Sequence, residues 1–92
     1  FLDLRMPGLD GRQCLQMVRS DRKFDKLPVI VYTCLDDLKN IQYCYQEGSN
    51  MYLIKPNSIS ELKTILERIF TIDWKKALYY PPFDHFVLKG IA

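Results

Sequence analysis

Three short apolar runs, each stopping abruptly at one reactive polar side chain, constrain this sequence more than any other feature. Phe1-Leu2 runs into Asp3, Pro28-Val29-Ile30-Val31-Tyr32 into Thr33, and Met51-Tyr52-Leu53-Ile54 into Lys55. Short apolar runs rich in β-branched and aromatic residues predict strands, and apolarity on both faces predicts strands buried in a parallel sheet. Helical patterns lie between and after them. Asp10 stands as an N-cap before Gly11, Cys14, Leu15 and Val18, which recur at helical spacing to about Arg19. Asp36-Asp37 opens a second helix carrying Leu38, Ile41, Cys44 and Tyr45 and stopping at Gly48. Ser58 and Glu61 have capping-box spacing, and behind them Ile59, Leu62, Leu66 and Ile69 form a helical stripe to about Phe70.

Strand alternating with helix over short connections predicts an α/β fold with a parallel sheet. In open sheets of this kind, sites form beyond the carboxyl ends of the strands. Asp3, Thr33 and Lys55 are therefore expected to emerge side by side as a carboxylate, a hydroxyl and an ammonium. Taken singly, each has a plain structural role: Asp3 capping a turn, Thr33 capping the following helix, Lys55 solvating a strand end. Taken together they suit phosphoryl transfer onto Asp3. A carboxylate forms an acyl phosphate when cationic groups and a divalent metal offset the charge of the phosphoryl oxygens.

Composition removes other classes. Ninety-two residues hold one small domain with one core. No apolar run approaches the ~18 residues of a membrane span, so no membrane association is expected. The net charge of +2 is spread in mixed signs, which argues against a nucleic-acid surface. Cys14, Cys34 and Cys44 are odd in number and lie within regular patterns, as expected of reduced thiols in a cytoplasmic protein. His85 is the single histidine and has no partner ligands for a metal site.

The segments L-D-L-x-M-P-G-x-D-G around Asp3, from Leu2 to Gly11, P-V-I-V-Y-T ending at Thr33 and G-x-x-x-Y-L-I-K-P from Gly48 to Pro56 resemble the receiver domain of two-component response regulators. The intervals agree: Asp3 and Thr33 stand 30 positions apart, Thr33 and Lys55 22. The resemblance covers residues 1 to about 70. It implies a flavodoxin-like, doubly wound parallel sheet, here truncated to the last three strands and three helices. Residues 71–92 follow as an aromatic and proline-rich C-terminal extension.

The resemblance also implies roles. Asp3 is the phosphoacceptor, Lys55 contacts phosphate, and Thr33 is the switch hydroxyl. Tyr52 is the switch aromatic, and Arg5 is a Mg²⁺ ligand through its backbone carbonyl, beside the Asp3 carboxylate. Lys55-Pro56 matches a bond that is usually cis in the family. A sensor histidine kinase is the implied phosphodonor, and a protein effector the implied target. The chain is then a signalling switch and not an enzyme acting on a separate substrate. The competing assignment is a phosphorylation-independent interaction module that keeps the receiver fold as a scaffold.

Two departures from the family pattern, the missing acidic pair and the residues after Thr33, bear on these roles. The sequence opens without Met and in mid-strand, so it is expected to be the C-terminal portion of a longer chain. The family's acidic pair for Mg²⁺ lies at the end of the first strand, before Phe1, and without it these 92 residues alone are expected to be phosphorylated poorly or not at all. With that strand, its helix and the second strand missing, the opening strand has an uncovered edge, and an isolated 92-residue monomer is expected to be marginal. Cys34 and Leu35 replace a very small and often a polar residue after Thr33, which implies slow loss of the phosphoryl group. Finally, Trp74, Tyr79, Tyr80 and Phe83 are costly to expose together. The tail is expected either to fold back on its own domain or to pack on another subunit as a homodimer.

Overall fold

Each helix begins at a side chain that the sequence offers as a cap. Asp10 accepts from the Arg12 amide, Asp37 from the Asn40 amide and Ser58 from the Glu61 amide. These oxygens satisfy amide donors that no helical carbonyl reaches. The computed structural model describes residues 1–6, 9–72 and 80–88. The Pro7-Gly8 turn lies outside the described residues, as do Trp74 and Tyr79 of the tail.

In chain order the elements are β1 (Arg5–Met6), β2 (Leu9–Asp10), α1 (Gly11–Ser20), β3 (Ile30–Thr33), α2 (Leu38–Gln46), β4 (Met51–Ile54), α3 (Ile59–Phe70) and β5 (Val87–Leu88). Single 3-10 turns lie at Arg22–Phe24 and Phe83–His85. β3 and β4 pair in parallel, with Val31 opposite Tyr52 and Thr33 opposite Ile54. The opening segment joins the other edge of β3 as one parallel bridge, Leu2 opposite Val31. Leu2 N donates to Ile30 O at 2.8 Å and Tyr32 N to Leu2 O at 2.7 Å. The expected first strand is therefore a single bridge. Its chain bends away at Asp3 into an antiparallel hairpin of β1 with β2, a stretch that reads from sequence as a turn.

Alternation along the strands divides the core between two faces. Val31 and Tyr52 pack with Leu15 of α1 and with Ile41 and Cys44 of α2, while Ile30, Met51 and Leu53 pack with Ile65 and Ile69 of α3. Helices thus cover both sides of the parallel sheet, as expected. The stripe on α3 differs from expectation at its start: Ile59 is 86% exposed, and the apolar line runs through Leu62, Ile65 and Ile69. Helical side chains lean toward the N-terminus, so a residue in the first turn projects past the helix end with no core beneath it.

The described part of the tail folds back on its own domain. β5 adds in parallel to the outer edge of β4, with Tyr52 opposite Val87 and Leu53 opposite Leu88. The strand order is β3-β4-β5, with the Leu2 bridge beyond β3. Phe86 is fully buried in the same cluster as Tyr52. Pairing the edge of β4 satisfies backbone groups that would otherwise face solvent or another chain. Among the described residues no helix is long and apolar enough to cross a membrane.

Candidate functional site

The sheet brings Asp3, Thr33 and Lys55 together at its carboxyl end. The two oxygens of Asp3 have different partners. Oδ1 accepts from the Arg5 amide at 3.0 Å, a tight turn of the kind a short carboxylate makes with its own backbone. Oδ2 accepts from Lys55 Nζ at 2.8 Å. Both the turn-forming role and the charged role are thus present in one side chain.

Each partner is fixed by its strand. Lys55 N donates to Thr33 O at 2.9 Å, continuing the β3–β4 ladder one step beyond the last strand residue. The Lys55 ammonium lies 5.2 Å from the centre of the Tyr32 ring, within cation–π range. Thr33 is buried, and its Oγ1 accepts from Leu35 N at 3.3 Å. Behind Asp3, Gly11 N donates to Leu4 O at 3.2 Å. A Cβ at Gly11 would collide with the Asp3 carbonyl oxygen and stand 2.6 Å from Leu4 Cα. This close approach explains glycine at position 11 and sets the backbone that carries Asp3.

The electrostatics follow the contacts. The Lys55 hydrogen bond, then the Arg5 amide, hold the Asp3 carboxyl below its ordinary value of 3.8, with a further contribution from the Thr33 hydroxyl. Reciprocally, Asp3 raises the Lys55 ammonium above 10.5. The pair is accessible, with side chains 28% and 38% exposed, so a ligand can reach it.

Tyr52 is fully buried and points inward: its hydroxyl donates to Leu35 O at 2.6 Å, and burial pushes the phenol pKa up. Leu35 therefore receives Tyr52 at its carbonyl and offers its amide to Thr33 Oγ1, so one residue of the β3–α2 loop joins both side chains. Cys34 is exposed, with Arg5 Nη1 3.9 Å from its sulfur. The Lys55–Pro56 bond is trans, against the cis expectation. Trans is the intrinsically favoured isomer of an X–Pro bond by ~0.5–1 kcal/mol, and the Asp3–Lys55 pair forms with it.

The described residues do not by themselves make a Mg²⁺ site. None of them forms a cluster of three His, Cys, Asp or Glu side chains able to hold a metal ion. The one carboxylate present has both oxygens engaged, and Arg5 offers a single backbone carbonyl. Mg²⁺ demands a near-octahedral oxygen shell.

One group of contacts has no counterpart in the sequence reading. Arg19, in the last turn of α1, donates through Nε to Gly48 O at 2.8 Å, through Nη1 to Phe24 O at 2.9 Å, and through Nη2 to Leu27 O at 2.7 Å and Asn50 Oδ1 at 2.9 Å. Asn50 Oδ1 also accepts from Val29 N at 2.8 Å, and Asn50 N donates to Val29 O at 2.8 Å. This node ties α1 to the loops entering β3 and β4 and so fixes the starts of the strands whose ends carry Thr33 and Lys55. A basic residue in a last helical turn marks a helix end, but nothing local marks the distant backbone carbonyls it reaches.

Comparison with known proteins agrees with this fold. The family model for the response regulator receiver domain matches residues 1–67. The probable methanogenesis regulatory protein FilR2 of Methanothrix harundinacea is 32% identical over 79 residues, 84% of this chain and 51% of that protein. The two-component response regulator ARR7 of Arabidopsis thaliana is 33% identical over 67 residues, 73% of this chain and 32% of that protein. The chain thus spans about half or less of the length of these relatives. Among solved structures, the Mn²⁺-bound form of response regulator Rcp1 superposes with a TM-score of 0.72 at 26% identity, covering 88% of this chain and 58% of that one. With helices on both faces of a parallel sheet and a family match over most of its length, the chain belongs to the response regulator receiver domains.

Proposed function

We propose that this chain is a phosphorylation-dependent switch in which Asp3 accepts a phosphoryl group from a histidine kinase. The observation that carries the proposal is the Lys55 Nζ–Asp3 Oδ2 contact at 2.8 Å, beside the Thr33 hydroxyl, at an accessible strand end. An Asp3 carboxylate oxygen attacks phosphorus of the kinase phosphohistidine. The P–O bond forms as the P–N bond breaks, and the imidazole nitrogen leaves with the electron pair and takes up a proton. Lys55 offsets charge on one phosphoryl oxygen, and Thr33 turns its hydroxyl toward another. The Asp3 carboxylate and the Arg5 backbone carbonyl are the groups this chain would offer to Mg²⁺, which would supply further charge compensation.

The added charge of about −1.5 to −2 biases an equilibrium between two states of the hydrogen-bonded Thr33, Leu35 and Tyr52 and so alters a protein-binding surface. The effector is a protein. The test is incubation of the intact protein with Mg²⁺ and a small phosphodonor, with acid-stable and hydroxylamine-labile label as readout. Asp3→Asn is expected to abolish the label. Label retained in that variant overturns the assignment. No label in either protein would favour the phosphorylation-independent interaction module.

A further inference from the structure

We propose that the C-terminal segment 80–88 is the output element of the switch: it docks on Tyr52, and its docking is coupled to occupancy of the phosphoacceptor site. The inference rests on the phosphoacceptor reading of Asp3 and goes beyond it, because the tail is no part of the Asp3–Thr33–Lys55 site.

A chain of contacts runs from Thr33, at the end of β3 beside the site, to the tail. Thr33 Oγ1 accepts from Leu35 N at 3.3 Å, and the same hydroxyl adds to the lowering of the Asp3 carboxyl pKa. Leu35 O holds the Tyr52 hydroxyl at 2.6 Å. Tyr52 then meets the tail twice: its amide donates to Phe86 O at 3.0 Å, and its ring centre lies 6.1 Å from that of Phe86. Phe86 is gripped on its other side by Tyr45 of α2, edge to face at 5.0 Å, and Tyr45 also meets Phe83 edge to face at 5.1 Å. Aromatic pairs at these separations favour one mutual arrangement beyond simple burial.

Tyr52 is therefore shared between two partners. Its hydroxyl reads the loop that follows Thr33, and its backbone and ring hold the strand that covers the edge of β4. An outward swing of Tyr52 would break the Leu35 contact and remove the surface on which Phe86 lies. Docking of the tail thus favours the inward Tyr52, and the inward Tyr52 favours the loop in which Thr33 reaches Asp3. Coupling of this kind is reciprocal: whatever the phosphoryl group does for tail docking, tail docking does for the phosphoryl group, typically ~5–150-fold. Phosphorylation tightens the tail, and the tail in turn stabilises the occupied site.

Hydrogen exchange tests this in the intact protein with Mg²⁺, using beryllofluoride as the phosphoryl probe and ¹⁹F NMR to read its occupancy independently. With the probe bound, exchange of the Tyr52 amide and of residues 86–88 is expected to slow about tenfold, and Phe86→Ala is expected to weaken probe binding by at least about fivefold. Phe83→Ala, at a half-exposed ring, is expected to weaken it in the same direction by less, and it keeps the test valid where Phe86→Ala fails to fold by circular dichroism. Probe bound with tail exchange unchanged or faster, or bound equally well by both variants, overturns the coupling. Absence of bound probe in the parent protein overturns the phosphoacceptor reading instead, and the coupling falls with it.

Discussion

Lys55 Nζ and Asp3 Oδ2 meet at 2.8 Å across 52 positions of sequence, with β3 lying between the two segments that carry them. Neither residue is on β3, yet the end of β3 supplies Thr33 between them. The contact exists only because three chain segments run parallel and end at the same level.

This pair has a defined pH window. The Asp3 carboxyl lies below 3.8 in the fold, so its contribution is present above the unfolded value and is lost as pH falls through the folded one. The Lys55 ammonium lies above 10.5, so its contribution is complete below that value and is lost as pH rises through the folded one. Exposure limits the pair to about 0–1 kcal/mol. In Lys55→Ala, the Asp3 carboxyl titration followed by ¹³C NMR is expected to move up toward 3.8. An unmoved midpoint would show that the Arg5 amide alone sets it.

Gly11→Ala drives a methyl group into the Asp3 carbonyl and Leu4 Cα, both of them backbone. Backbone yields less readily than a side-chain tip, so the substitution is expected to cost about 1–3 kcal/mol in urea unfolding. It should also lower the rate of phosphoryl acceptance among molecules that remain folded, because Asp3 must shift. A variant as stable and as reactive as the parent would count against this close approach.

Arg19→Met keeps most of the aliphatic stem and removes four donated hydrogen bonds, three of them to backbone carbonyls. Charged hydrogen bonds of this kind are worth more than neutral ones, and the carbonyls left behind gain no other donor from the methionine. A loss of about 2–4 kcal/mol is expected by chemical denaturation, with hydrogen exchange at Val29 and Asn50 accelerating first.

Tyr52→Phe leaves the ring against Phe86 but deletes the 2.6 Å bond to Leu35 O. Stability is expected to fall by about 1–2 kcal/mol. The amide resonance of Leu35 should shift more than those of residues 86–88, since the ring contact survives.

Cys34 and Leu35 follow Thr33 at the mouth of the site, where the thiol is exposed and the Leu35 backbone is engaged with Thr33 and Tyr52. A thiol is a weak hydrogen-bonding group and an alkyl side chain has none to offer an attacking water. The phosphoryl group is accordingly expected to persist for minutes or longer on the intact protein, followed by loss of label after phosphodonor removal. Decay within seconds would contradict this.

Much of the candidate site's residue set was legible in the sequence because its residues announce themselves locally. Asp10, Asp37 and Ser58 are short oxygen-bearing side chains placed just ahead of apolar periodicity, and all three accept the amide bonds that such placement predicts. Asp3, Thr33 and Lys55 each end an apolar run, and the sheet brings those ends together. Arg19 was silent by contrast, because its main acceptors are backbone carbonyls, which every residue has and no sequence pattern marks. Phe86-Val87-Leu88 reads as strand-like, and Val87–Leu88 is β5, but what the strand lies on was not legible. One aromatic among many in the tail reads the same whether it is exposed, buried at home or buried on another subunit.

The sequence by itself determined the α/β alternation, the helix starts and the three residue types at the strand ends, because caps and apolar periods act over three or four residues. Tertiary structure alone decided that the opening strand is a single bridge at Leu2, that Ile59 projects past the core, and that Val87–Leu88 completes the edge of β4. Those outcomes turn on which backbone edges and which faces are left free once distant segments have packed, and no local pattern carries that information. Whether Phe86 lies on Tyr52 was settled in the same way, by the β4 edge that the other described strands leave open to it.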